Sequence, residues 1–418
     1  MTATVDAPQR LANPLFVRVV LATFAYFVAV GALLPTIPLY VRGPLGRGDA
    51  GVGIAVAAFA VSAVVLRPFA GRAGDRRGRR LIMVGGAGAL AASIAAYTLA
   101  DSLPVLVLLR AVTGAGEGFF FVGAVAVVSD LAPDARRGEA MSYFSLGLHG
   151  GLALGPAFGE TVLRLAGFDA VWLVSGACAA LGAVLCMTVQ ETRPPAAALA
   201  QRARLINPSG VLPGTILFFM MLGIVAFTAF LPLYARELGL RGSAVAFLLY
   251  SGIVLVIRSV GAKLPDILGY RRAAALALTG GMVGLLVVAG VGNVVGLFVG
   301  TALCAIGHGL AFPALISMAV TSSPEAERGS AVGTVSMFFD AGFGFGAAVS
   351  GLLASWLGYR GAFAAAAGGV FIGLLLIAGS KRGFAAASPP AGTPHGAPAG
   401  AEGAGAPAGA EVSPSPPG

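Results

Sequence analysis

Four ionisable side chains fall inside long apolar runs of this sequence: Glu117, His149, His308 and Asp340. A charge at the centre of a bilayer costs on the order of 2.5–3.5 kcal/mol on insertion scales, so groups retained there are functional candidates. Glu117 follows Arg110 by seven residues, which places both on nearly the same face of a helix. Burial and a neighbouring arginine act in opposite senses on the proton affinity of a carboxylate. An acid whose partner moves therefore loads and releases a proton, and Glu117 is the leading proton carrier, with Arg110 as its partner. A fixed structural pair of the two is the alternative. Asp340 has no evident partner in its own helix, so a role in an internal cavity and a bond to His149 are both open. His149 titrates near neutral pH if it meets water, or sits neutral and hydrogen-bonded in the core. His308 reads as a core histidine. No catalytic constellation and no metal-ligand spacing accompanies these residues. A phosphate-cradling Gly-x-x-x-x-Gly-Lys-Ser/Thr is absent, and Gly114–Gly116 falls inside a predicted helix, so no cofactor is expected.

A second group of residues lies between apolar runs. Gly71, Asp75, Arg76, Gly78, Arg79 and Arg80 form a basic stretch that recurs in weaker form around Asp266. At a constant offset of 191 residues, Arg67, Asp75, Gly78 and Arg80 match Arg258, Asp266, Gly269 and Arg271. Pro133, Arg137, Gly138, Gly151, Gly155 and Gly167 match Pro324, Arg328, Gly329, Gly342, Gly346 and Gly358 at the same offset, and Asp340 is the counterpart of His149. The chain is a duplication in one orientation, the construction of one large class of transporters. Arg67 and Arg258 lie inside their helix ends, placed to snorkel or to join the charges of the basic stretch.

The elements that must carry these residues are membrane helices. Hydrophobic residues make up 57% of the 418 and charged residues 11%, too few charges to cover a soluble surface. Charge-free runs such as Leu81–Ala100 and Ala273–Gly292 have the length a helix needs to cross the hydrocarbon, and unbroken runs exclude the alternating pattern of a barrel. Twelve spans are expected, at 15–40, 51–70, 81–100, 103–129, 139–164, 169–190, 211–235, 243–262, 272–291, 294–320, 329–355 and 360–380. They form an N-terminal six-helix bundle (15–190) and a C-terminal one (211–380), flanked by a polar N-terminus (1–14), a linker (191–210) and a tail (381–418). The tail is rich in Ala, Gly, Pro and Ser and is expected to be disordered. Lys and Arg cluster in alternate loops, at Arg72–Arg80, Arg136–Arg137, Arg193–Arg204, Lys263–Arg272 and Lys381–Arg382. That alternation puts both termini in the cytoplasm and accounts for the net charge of +9 without nucleic acid. Cys178, Cys186 and Cys304 lie within apolar spans and read as core residues.

In the fifth span Gly147, Gly151, Gly155-Pro156 and Gly159 recur every four residues, so they present one smooth face to a neighbour. The Gly-Pro step adds a kink.

These residues resemble the major facilitator superfamily, in particular its twelve-helix drug/proton antiporters. Gly71, Asp75, Arg76, Gly78, Arg79 and Arg80 match the signature between the second and third helices of that family. Arg110, Gly114 and Gly116 match its fourth-helix motif, and Gly147, Gly151, Gly155, Pro156 and Gly159 its antiporter motif. Two departures stand out. Glu160 occupies the place of a closing glycine, and the first span lacks the acid that many of these antiporters carry.

The resemblance implies an all-α fold of two pseudo-symmetric six-helix bundles around a central cavity, with the signature stretch locking the halves on the cytoplasmic side. It implies proton-driven export of a small, largely apolar compound across a bacterial inner membrane by a monomer. Phe119, Phe120, Phe338 and Phe339 are candidates to line the cavity. A symporter or facilitator for a sugar or other neutral metabolite, and a membrane sensor without transport, are the competing readings.

Overall fold

A computed structural model describes residues 14–132, 137–192, 206–260, 264–324 and 327–380. The expected N-terminus and tail, and most of the linker, lie outside the described residues. The described chain is helical throughout, with no strand. Its helices are α1 (Pro14–Arg42), α2 (Asp49–Arg77), α3 (Arg79–Ala95, extended by a 3-10 turn to Leu99) and α4 (Leu103–Leu131). There follow α5 (Arg137–Met187), α6 (Pro208–Glu237), α7 (Ala244–Val260), the short α8 (Leu264–Leu268), α9 (Tyr270–Val291), α10 (Val294–Thr321) and α11 (Arg328–Gly379).

Among the described residues nine helices are long and apolar enough to cross a membrane. Two of them, Tyr143–Met187 and Ser330–Gly379, run 45 and 50 residues, more than twice the length a crossing requires. Each turns at a glycine with positive φ, Gly167 (81°) and Gly358 (68°), so each supplies two crossings. The shorter apolar helix Ala244–Ser259 supplies one more, and twelve crossings result. The duplication is also visible in the backbone. Gly78 (φ 111°) and Gly269 (φ 80°), 191 residues apart, are the breaks before α3 and α9. L-residues with side chains rarely adopt such angles, which is why glycine occupies both members of each pair.

The basic stretch differs from a simple loop. Helix α2 continues through Arg77, so Gly71, Asp75 and Arg76 occupy its last turns and Gly78 alone forms the break. Arginine is a good helix former, and charges placed just beyond the apolar run do not oppose the helix. Asparagine side chains start two later helices. Asn207 accepts from the amide of Ser209 ahead of α6, and Asn293 accepts from that of Gly296 ahead of α10. Each satisfies a helix amide that has no partner within its own helix.

Helices α1 to α5 pack among themselves as one half, and α6 to α11 as the other. The halves meet along α2 against α11, α5 against α7 and α1 against α6. In the first half, Tyr97 and Trp172 are fully buried and meet edge to face at 5.3 Å, with Tyr40 edge to face on Trp172 at 5.4 Å. The glycine face of α5 lies on α1. A Cβ at Gly155 would come within 2.6 Å of the Gly31 Cα, and one at Gly159 within 2.6 Å of the Ala32 carbonyl oxygen. In the second half, Gly342 and Gly346 face α6, while Gly344 faces α2.

Candidate functional site

Three of the charges retained in the interior, Arg67, Glu117 and Asp340, meet at the seam between the halves. Arg67 on α2 reaches Glu117 on α4, with Nη2 at 3.3 Å from Oε1, and its Nη1 donates to Oδ2 of Asp340 on α11. Both carboxylates are buried, at 6% and 8% exposure. The guanidinium also lies over the ring of Phe121 at 4.9 Å. One arginine thus holds one acid from its own half and one from the other. Guanidinium suits this task because it presents several donors in a rigid fork. Two acids sharing one cation leave an excess negative charge when both are ionised, and a buried excess charge is costly. One proton removes it.

This arrangement corrects the expected partner of Glu117. Arg110 is buried, but its Nε donates to the carbonyl of Ala55 at 3.1 Å and its guanidinium lies over Phe59 at 4.6 Å. Seven helical residues rise about 10.5 Å, so a common face does not bring Arg110 and Glu117 together, whereas α2 runs alongside and delivers Arg67. Nor does Asp340 bond to His149. The His149 Nδ1 is engaged by its own helix, 2.7 Å from the Ser145 carbonyl oxygen and 3.1 Å from its hydroxyl. His308 is bonded through Nδ1 to the Tyr250 hydroxyl.

At the basic end, Arg79 pairs with Asp130 at the end of α4 and donates to the Ala126 carbonyl at 3.3 Å. Glu191 accepts from the backbone amide of Arg79 at 2.7 Å, so a carboxylate from the end of the first half caps the start of α3. Arg76 and Arg80 are exposed, and the side chains of Asp75 and Asp266 lie outside the described residues.

The opposite end is closed by contacts between the halves. Tyr359 donates to Asp49 at 3.2 Å. A Cβ at Gly53 would meet the Ala347 carbonyl oxygen at 2.7 Å. Glu160, the departure from the antiporter motif, is 4% exposed. It accepts from the amides of Ser243 at 2.8 Å and Ala244 at 2.7 Å, and from the Ser243 hydroxyl. These donors open α7 in the other half, where unpaired amides and the helix dipole favour an anion. Gly242 admits the carboxylate, since a Cβ there would lie 2.5 Å from Oε2.

Of the four candidate cavity phenylalanines, Phe120 is fully buried and stacks on Tyr26 at 3.9 Å, so it belongs to the packing of the first half. Phe119 faces a groove between α2, α3 and α4. Phe338 packs beside Gly214, and Phe339 meets Phe312 edge to face at 5.8 Å. Glu160, Asp130 and Glu191 were not anticipated as site residues. Of these only Glu160 left a signal, as a charge where a glycine was expected.

A bipartite bundle of twelve membrane helices built by duplication is the architecture of a class of multi-pass transport proteins. The sequence matches the Major Facilitator Superfamily over residues 19–295 and 262–410, and the chain belongs to that family. It is therefore a transporter and not an enzyme. It is 28% identical over 374 residues to the uncharacterized MFS-type transporter STM4428 of Salmonella typhimurium, covering 86% of this chain and 95% of that one. Over 136 residues it is 29% identical to the quinolone resistance protein NorA of Staphylococcus aureus, covering 32% of this chain and 35% of NorA. Among solved structures, a bacterial homologue of the human lysosomal transporter Spinster, inward-facing and occupied, superposes with a TM-score of 0.78 at 14% identity. It covers 89% of this chain and 97% of the homologue.

Proposed function

We propose that the chain exports a small, largely apolar compound in exchange for protons, by alternating access between its two halves. The observation that carries this reading is Arg67 held between Glu117 and Asp340. Alternating access separates α2 from α11 on one side of the membrane, and Arg67 then keeps one acid and leaves the other. Away from the guanidinium the abandoned carboxylate binds a proton more tightly, and it gives that proton up more readily when the helices close again. Coupling requires such an acid, whose proton affinity differs between two states.

The glycine face of α5 on α1, together with the stretch of likeness to a resistance protein, supports export over uptake. On the rule that cytoplasmic loops are the basic ones, the Arg79 end is cytoplasmic and so are both termini, in a bacterial inner membrane. The contacts of Glu160, Gly53 and Tyr359 then seal the outer side. Arg79, Asp130 and Glu191 brace the inner ends of the first half, and the whole operates as a monomer.

The test is substrate-driven proton movement in proteoliposomes. Export by antiport predicts that Glu117→Gln and Asp340→Asn each abolish proton movement while the protein stays folded. Substrate flux that proceeds without protons would contradict the reading.

A further inference from the structure

The duplication gives the second half its own copy of Arg67, and that copy is employed differently. Arg258 on α7 lies in the interior, with its guanidinium 5.6 Å from the ring centre of Phe312 on α10. Arg67 has two carboxylates, whereas Arg258 has no ion pair and no hydrogen bond among the described residues, and its Nε is buried without a partner. His149 on α5 and His308 on α10 both lie within its electrostatic range, as does Tyr250 on α7. Each histidine has Nδ1 engaged, to Ser145 or to Tyr250, which leaves its Nε2 uncommitted among the described residues. Three elements from both halves therefore bring one permanent cation and two imidazoles to the same region.

A half-buried cation whose Nε is shut away without a partner, and which has no ion pair among the described residues, is costly and is retained where something pairs with it. We propose that Arg258 is the counter-cation for a carboxylate carried by the transported compound, a small monoacid with an apolar body. This rests on the reading of the seam between the halves as the transport path. The guanidinium fork matches a carboxylate in two parallel hydrogen bonds. With Tyr250 donating to its Nδ1, His308 keeps an Nε2–H to donate in the same region, whereas His149 gives its Nδ1–H to the Ser145 carbonyl and offers Nε2 only as an acceptor. Phe312 and Phe339, edge to face, offer an apolar surface for the remainder of the molecule. A single fixed cation suits a monoanion better than a phosphate dianion. The family relationship leaves open which of many compound classes is carried, and Arg258 narrows the choice to acids.

The experiment uses the purified full chain and a panel of matched triplets, each an aryl or alkyl carboxylate, its amide and its amine. Naphthalene-1-carboxylate, naphthalene-1-carboxamide and 1-naphthylmethylamine form one triplet. Binding is read as thermal stabilisation and confirmed by titration. Carboxylates are expected to bind where their amides and amines do not. Arg258→Gln is expected to weaken that binding about 30-fold, and Arg258→Lys to recover part of it, since the ammonium keeps the charge without the fork. An unchanged melting temperature for unliganded Arg258→Lys shows that the fold is intact, whatever Arg258→Gln does. A preference for amides or amines, acid binding that Arg258→Gln leaves intact, or no acid bound at all would overturn the proposal. Acid binding and flux without proton movement would leave it standing and sink the antiport reading instead.

Discussion

The buried acids of this chain cannot be understood apart from Arg67. Its removal leaves Glu117 and Asp340 buried without a counterion, and breaking a buried pair in this way costs about 3–5 kcal/mol. Arg67→Ala is accordingly expected to lower the thermal unfolding temperature markedly. Adding Asp340→Asn should recover part of the loss, because only one charge then stays uncompensated. Equal and additive losses in a double-mutant cycle would show that the three groups do not act together. The sequence identified both acids from their place in apolar runs. It paired Glu117 with Arg110 because spacing along one helix is all that a linear pattern reports. The true partner comes from a neighbouring helix, and the partner of Asp340 lies in the other half. Arg67 was visible as a member of the repeat lying inside its helix end, placed to snorkel or to join the basic stretch, but not as the partner of either acid.

At the scale of the helix, two contacts govern how the elements meet. The α5 glycines leave no room against α1, so Gly155→Leu must push Gly31 and its backbone aside. Overpacking of this kind costs about 1–3 kcal/mol or more. It should reduce transport together with stability, whereas Leu154→Met, on the exposed side one residue earlier, should do neither. Glu160 ties α5 to the start of α7 across the seam. Glu160→Ala is expected to widen the distance between spin labels placed beside Asp49 and on the opposing end of α11, shifting the population toward an opening on that side. Distances unchanged from the wild type would assign Glu160 to local packing instead. The glycine spacing revealed the smooth face but not its partner helix. The turns at Gly167 and Gly358 were legible as the ends of predicted spans, because the repeat places a glycine at the same point of each half. The continuation of α2 through Arg77 was not, since a run of arginines reads as a loop by charge and as a helix by propensity.

As a whole molecule, the chain is two copies of one design whose charges have diverged. The repeat, the apolar runs and the signature residues made the architecture legible in the order of amino acids alone. The division of labour between Arg67 and Arg258 was not, since an identical residue at an identical offset conceals different neighbours. One half brings the arginine that holds the acids and the other brings the arginine proposed for a ligand, while each region draws a further residue from the opposite half. Asp340 and His149, counterparts at the same offset, follow the same division in exchanged positions. The central claim is that a proton taken up at Glu117 and Asp340 drives movement of the substrate. The most direct test is proton flux in proteoliposomes under an imposed substrate gradient, with wild type, Glu117→Gln and Asp340→Asn compared in parallel. Substrate-dependent proton movement is expected in the wild type and none in either variant. Undiminished proton movement in both variants, or substrate flux in the wild type with no proton movement, would contradict it.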